Sequence, residues 1–246
     1  MLTHAEKCYV ELIKKSVNQY LYYGADTTTD TYQTDSIDRY DEFAWKLPRE
    51  ALPHSLLNLD QLNLLEEIIL DIEQRKVPGD LLEAGVWRGG AVILMCALVS
   101  LFGMERRIIA ADSFAGIPMS KETTGDPVDR WEDRWVAPLD EVKSTIKRYG
   151  LLDEKLIFIE GYFHRSLISA EISKLALIRI DADSYESTVE VLNSLYQKLS
   201  IGGVVLVDDG HLPGCLLAVI EFRQKNAIRS ELMRCGNNIY WIREAD

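Results

Sequence analysis

The stretch from Leu175 to Asp183, Leu-Ala-Leu-Ile-Arg-Ile-Asp-Ala-Asp, constrains this chain more than any other. Its nearly continuous apolar run ends abruptly in two carboxylates. Such a run suits a strand covered on both faces, as parallel strands are. A second run, Gly203 to Val207, ends the same way in Asp208 and Asp209. In open α/β sheets the carboxyl ends of the strands border the ligand crevice. Four carboxylates at two such tips repel one another, so something positive is expected among them.

The rest of the chain alternates strand and helix around this centre. Ala5 to Tyr22 has helical apolar spacing. Gly24 to Asp41 is polar, with five aspartates (Asp26, Asp30, Asp35, Asp38, Asp41), and reads as a loop or mobile arm. Its spacing does not match a calcium-binding loop. Asn58 or Asp60 can cap a helix running to Arg75, which Val77-Pro-Gly breaks. A strand from Asp80, the apolar helix Ala91 to Phe102 and a strand Arg106 to Ala111 follow. Residues 117–138 form a lid-like insertion with Trp131 and Trp135. Then come a helix Leu139 to Tyr149 ended by Gly150, a strand Leu156 to Glu160 and a short helix Ile168 to Lys174. The central strand, a helix Ser184 to Leu199, the strand Gly203 to Val207 and a helix Gly214 to Asn226 complete the alternation. Glu231 to Cys235 and Asn238 to Ile242 flank a Gly236-Asn237 turn, which marks a hairpin. The fold class this predicts is α/β: a doubly wound, mostly parallel seven-stranded sheet, Rossmann-like, with a C-terminal antiparallel hairpin. Residues 1–58 divide off as helix, acidic loop and covering segment, and 59–246 as the main domain.

Bulk properties exclude several classes. A net charge of −12 argues against nucleic acid as a partner. The longest apolar run, Ala91 to Phe102, falls short of the roughly 20 residues of a membrane span. The N-terminus lacks the apolar core of a signal peptide. Four cysteines without zinc spacing fit reduced thiols in a cytoplasmic protein.

Two further motifs carry chemistry. After the first strand, Glu83-Ala-Gly85-Val-Trp-Arg-Gly89-Gly90 opens a helix, and its glycines let backbone approach a ligand closely. The spacing is not the dinucleotide G-x-G-x-x-G, which counts against NAD. Asp112, at the next strand tip, can accept from ribose hydroxyls. Together they point to an adenosine-containing cofactor needing no phosphate cradle. Asp181, Asp208 and Asp209 form an oxygen-only set suited to Mg²⁺. The plainer role for the acids is helix N-capping by Asp183 and Asp209.

Gly79-Asp-Leu-Leu-Glu-Ala-Gly-Val-Trp-Arg-Gly-Gly, Ala111-Asp-Ser-Phe-Ala-Gly, Tyr149-Gly-Leu, Glu160-Gly-Tyr-Phe, Arg179-Ile-Asp-Ala-Asp-Ser-Tyr-Glu-Ser-Thr and Val207-Asp-Asp resemble the macrocin and mycinamicin sugar O-methyltransferases over residues 50–242. The resemblance implies S-adenosylmethionine and Mg²⁺ as cofactors. It implies that Glu83, Gly85, Trp87 and Arg88 hold the methionine part, Asp112 and Ser113 the ribose, and Gly161 and Tyr162 the adenine. Ser55 would lie in the segment covering the cofactor, and Asp181, Asp208 and Asp209 would bind the metal. The Asp181-Ala-Asp183 arrangement is also similar to catechol-type methyltransferases, whose second acid faces the cofactor's amino group. A homo-oligomer acting on a small-molecule hydroxyl, of a glycoside or secondary metabolite, is the implied assembly and acceptor. Where many relatives have an aromatic after the paired acids, this chain has His211.

Asp181 is the first candidate for the proton acceptor and His211 the second, since its ordinary pKa near 6.5 suits the task. Two alternatives are a metal-independent methyltransferase with His211 as base and a non-catalytic adenosine-binding module.

Overall fold

The structure is a computed structural model and describes residues 3–23, 51–117 and 135–245. Its centre is a seven-stranded sheet: β1 (Asp80–Ala84), β2 (Ile108–Asp112), β3 (Leu156–Glu160), β4 (Leu175–Ile180), β5 (Leu199–Val207), β6 (Met233–Cys235) and β7 (Asn238–Ile242). The strand order is β3-β2-β1-β4-β5-β7-β6. The first five strands run parallel, and β7 pairs antiparallel with β5. The chain reverses direction across the sheet between β1 and β4, the switch point where such folds open a crevice.

Alternation along the strands sorts side chains to two apolar layers. Leu81, Ile108, Leu177 and Val204 face one layer with α1 (His4–Val17), α2 (Leu59–Gln74) and α3 (Gly90–Leu101). Leu82, Ile109, Ile178 and Val205 face the other, under α6 (Tyr185–Leu195) and α7 (Pro213–Lys225). Every residue of β4 is buried, as its composition requires. Burying each large aliphatic side chain there contributes about 1.5–3 kcal/mol. Helix α3 is apolar all round because it is buried all round, sheet on one side and α1 and α2 on the other. The described residues contain no helix long and apolar enough to cross a membrane.

Helix α1 shares this core through Val10, Ile13 and Val17. Buried Lys14 fastens it to α2, reaching Asn63 Oδ1 at 2.6 Å and Glu66 Oε2 at 2.8 Å. The helix ends earlier than its periodicity predicts. Asn18 caps it, Gln19 takes a left-handed φ of 64°, and a separate turn of helix covers Tyr20–Tyr23.

Two other expectations are corrected. The short helix after β3 is α5 (Phe163–Ser169), not Ile168 to Lys174. It starts directly after Gly161-Tyr162, and Ala170 is already extended. The fifth strand begins at Leu199 rather than Gly203, and helix α6 stops at Leu195. Gly202 and Gly203 look like turn residues in isolation. They join the ladder because the Arg243 backbone pairs with both, Gly202 N donating at 2.7 Å and Gly203 O accepting at 2.8 Å. Tertiary pairing overrides local preference here. The acidic stretch Gly24 to Asp41 lies outside the described residues, as do Trp131 and most of the insertion at 117–138.

Of the two caps the sequence allows for helix α2, Asn58 is the one used, and it forms a capping box with Gln61. Asn58 Oδ1 accepts from Gln61 N at 2.8 Å, and Gln61 Oε1 accepts from Asn58 N at 3.0 Å. Replacing Asn58 by Ala is expected to cost about 1 kcal/mol. For a chain of this size that lowers the melting temperature by about 2–4 °C, measurable by calorimetry.

Candidate active site

Glu83 and Arg179 sit opposite each other at the carboxyl ends of β1 and β4. Both are almost wholly buried, and they form an ion pair. The same Arg179 Nη1 donates to Asp181 Oδ2 at 3.0 Å, and Nη2 lies 3.1 Å from Asp208 Oδ1. So the positive charge expected among the acids is present within the strand itself. Sequence reasoning did not single out Arg179, although a lone arginine inside an apolar run was the available signal.

Asp181, Asp208 and Asp209 come together from the tips of β4 and β5. One carboxylate oxygen of each lies within 4.8 Å of the others. Asp209 is buried and its Oδ2 accepts from Asp183 N at 3.1 Å. Burial and mutual repulsion push the Asp208 and Asp209 carboxyls well above the usual carboxylate range, against the opposing charge of Arg179. Burial likewise pushes Glu83 up to about 8. Neither Asp183 nor Asp209 caps a helix. Ser184 caps α6, its Oγ accepting from Ser187 N at 3.2 Å, and Leu212 occupies the cap position of α7. The capping account of these acids is therefore overturned.

The set fits a hard divalent cation. It offers oxygen alone, from three side chains within reach of one ion, with excess negative charge that one guanidinium does not cancel. It also fits an amine-bearing ligand: Glu83 Oε2 is buried with no protein partner among the described residues, an acceptor left for an N–H donor.

The glycine turn is built against the acids. Gly85 has φ of 93°, and a Cβ there would stand 1.6 Å from the Asp181 carbonyl oxygen. Gly90 is similarly confined, since a Cβ would meet Ser55 Cβ at 2.3 Å and His54 O at 2.5 Å. Ser55 is thus buried against the start of α3, its Oγ accepting from Leu57 N at 3.1 Å. Its N–H and that of His54 both donate to Val17 O, which ties the segment to α1.

Asp112 closes the turn. Its Oδ2 accepts from Val86 N at 2.6 Å and Trp87 N at 3.0 Å, and its Oδ1 from Phe114 N at 2.8 Å. Ser113 Oγ donates to Gly116 O at 2.6 Å. Arg88 is buried and pairs with Glu141 of α4 (Leu139–Arg148) at 2.8 Å. Trp87 meets Trp135 edge to face, 6.1 Å between ring centres. Gly161 N donates to Asp112 O at 2.9 Å, and half-exposed Tyr162 stacks on His164. His211 is exposed just beyond Asp209; desolvation and then Arg234 draw its pKa below the ordinary value, while Asp181 opposes the shift. Trp87, Phe114 and Asp183 all carry left-handed backbone, each two or three residues past a parallel strand. Such strain concentrates at functional sites.

Strand order, switch-point crevice and glycine turn together define a class I methyltransferase fold. The comparison with known proteins agrees in detail. Residues 6–244 match the family model of macrocin O-methyltransferase, and the chain belongs to that family. It is 35% identical over 253 residues to an 8-demethyl-8-(2,3-dimethoxy-alpha-L-rhamnosyl)-tetracenomycin-C 4'-O-methyltransferase of Streptomyces olivaceus, covering 98% of this chain and 94% of that protein. It is 32% identical to a mycinamicin III 3''-O-methyltransferase of Micromonospora griseorubida, covering 96% of each. Among solved structures, the O-methyltransferase NovP superposes with a TM-score of 0.82 at 33% identity, over 98% of this chain and all of that one. The protein is accordingly an O-methyltransferase, which sets aside the non-catalytic adenosine-binding module.

Glu83 supplies a pH signature. Its proton is held more tightly in the folded state than in the unfolded chain, where the pKa is ordinary, so folding stability falls as pH rises toward about 8. His54, pulled down to about 4 by burial and nearby arginines, acts oppositely but only below about 6.5. Between about pH 6.5 and 8, urea unfolding in EDTA should show stability falling by up to about 1.4 kcal/mol per pH unit from this one group, on top of the same-signed share of Asp208 and Asp209. Glu83→Gln should remove its own share and leave a shallower slope.

Proposed function

We propose that the protein transfers a methyl group from S-adenosylmethionine to a hydroxyl of a sugar or sugar-bearing natural product, with Mg²⁺ at Asp181, Asp208 and Asp209. The observation that carries this reading is the convergence of those three acids beside the glycine turn, at the switch point. The names of the relatives, which act on glycosylated natural products, support the acceptor class.

When bound, S-adenosylmethionine supplies an electrophilic methyl and Mg²⁺ the Lewis acidity that lowers a hydroxyl's pKa. The chain does the rest. Gly85, Trp87 and the turn between them offer backbone at close range to the methionine part, and Glu83 Oε2 an acceptor for its amino group. Asp112 and Ser113 flank the ribose position, and Gly161 and Tyr162 the adenine position. Asp112 Oδ2 already accepts from two amides of the glycine turn and its Oδ1 from Phe114 N, so it positions the turn as well as facing the ribose. Arg88, locked to Glu141, and Ser55, locked under α3's first turn, act on the cofactor through that same turn. Asp183, held in a left-handed conformation, fixes Asp209 through its N–H. Asp181 accepts the acceptor's proton in this reading, with its position set by Arg179.

Two observations favour a second reading. Arg179 already offsets part of the acidic charge, and His211, whose pKa lies below the ordinary value, is within electrostatic reach of Asp181. A metal-independent transfer would use His211 as base.

EDTA separates the two. Methyl transfer should stop in EDTA and return with Mg²⁺, and Asp208→Ala or Asp209→Ala should lower turnover at least about 100-fold, as loss of a metal-held charge does. Turnover that persists in EDTA and in both variants, yet disappears in His211→Ala, would establish the second reading. Calorimetry should show binding of S-adenosylhomocysteine and none of NAD.

A further inference from the structure

We infer that Arg179 is a positioning residue for the metal site: it holds one oxygen each of Asp181 and Asp208 in place, and thereby leaves their other oxygens arranged for a cation. This rests on the metal reading above.

The contacts are specific. The guanidinium is almost fully buried, in a strand whose other side chains are apolar. Its Nη1 donates to Glu83 on β1 and to Asp181 Oδ2 at the tip of β4, and its Nη2 forms an ion pair with Asp208 Oδ1 at the tip of β5. One planar fork therefore spans three adjacent strands. Asp208 Oδ1 has a second neighbour, Gln61 Nε2 at 3.4 Å, and that amide is itself anchored by Asn238 Oδ1 at 2.6 Å. Gln61 cannot drift, because its Oε1 is committed to the α2 capping box. Thus Oδ2 of Asp181 accepts from Arg179, and Oδ1 of Asp208 accepts from Gln61 and pairs with the Arg179 charge.

Burying a cation beside a cation site is costly unless it does something the ion cannot. An isolated positive charge there should weaken Mg²⁺ binding by repulsion. What Arg179 adds is geometry: five donors in a rigid fork, which lysine's single ammonium cannot reproduce. It also cancels part of the repulsion that would otherwise splay the acids apart before any ion arrives. Partners that orient metal ligands in this way typically contribute 10–100-fold to metal affinity.

The test is calorimetric titration of the full chain with Mg²⁺, alongside S-adenosylhomocysteine titration. Arg179→Lys, which keeps the charge, should weaken Mg²⁺ binding about tenfold or more while changing the affinity for S-adenosylhomocysteine less than about threefold. Mg²⁺ affinity that is unchanged or tighter in Arg179→Lys overturns the inference, because a positive charge without the fork would then suffice. Should that variant not fold, Gln61→Met addresses the same Asp208 oxygen from another element. It should weaken Mg²⁺ about threefold or more, and an unchanged value there overturns the inference equally. The wild-type chain is the control: S-adenosylhomocysteine binding without Mg²⁺ binding defeats the metal reading itself, and the inference with it.

Discussion

A single buried guanidinium, Arg179, organises the middle of this sheet. It is the positive charge at the meeting point of Glu83, Asp181 and Asp208 on three neighbouring strands. Without it, β1, β4 and β5 would end in uncompensated carboxylates inside a partly dry crevice. Removing one partner of such a cluster leaves a buried charge unpaired, which costs far more than the pair itself contributes. The sheet's parallel order and the acids' convergence are therefore one problem with one solution.

The turn after β1 is the second element of that solution. Asp112 fixes two of the turn's amides with Oδ2 and its own following loop with Oδ1, and Gly85 lets the turn lie directly on β4's tip. Ser55 and His54 close over the start of α3, tied back to α1 through Val17 O. The N-terminal helix is thus part of the apolar core and supports the glycine-turn side of the crevice.

Much of this was legible from residues alone. The alternation of strand and helix, the terminal hairpin and the acid-tipped strands all follow from local pattern. What was not legible depended on distant pairing. The start of β5 is set by Arg243 across the ladder, and helix α5 is placed by the turn at Gly161-Tyr162 where several apolar spacings compete. Gln61 reaches Asp208, and Asn238 anchors Gln61, only because α2 and β7 border the same strand tip, and no local signal marks polar residues so far apart in sequence. For Asp112 and Arg88 the residue types stood out, yet their structural partners, turn amides and Glu141, were hidden until the fold brought them together.

The near-contact between Gly85 and the Asp181 carbonyl has a bearing on redesign. The glycine turn and the acid cluster share a wall one backbone thick, so neither can be recut without moving the other. Attempts to retune which hydroxyl is methylated should leave that wall alone. The rim reached from β5, where His211 stands exposed, offers side chains that can be exchanged without disturbing it.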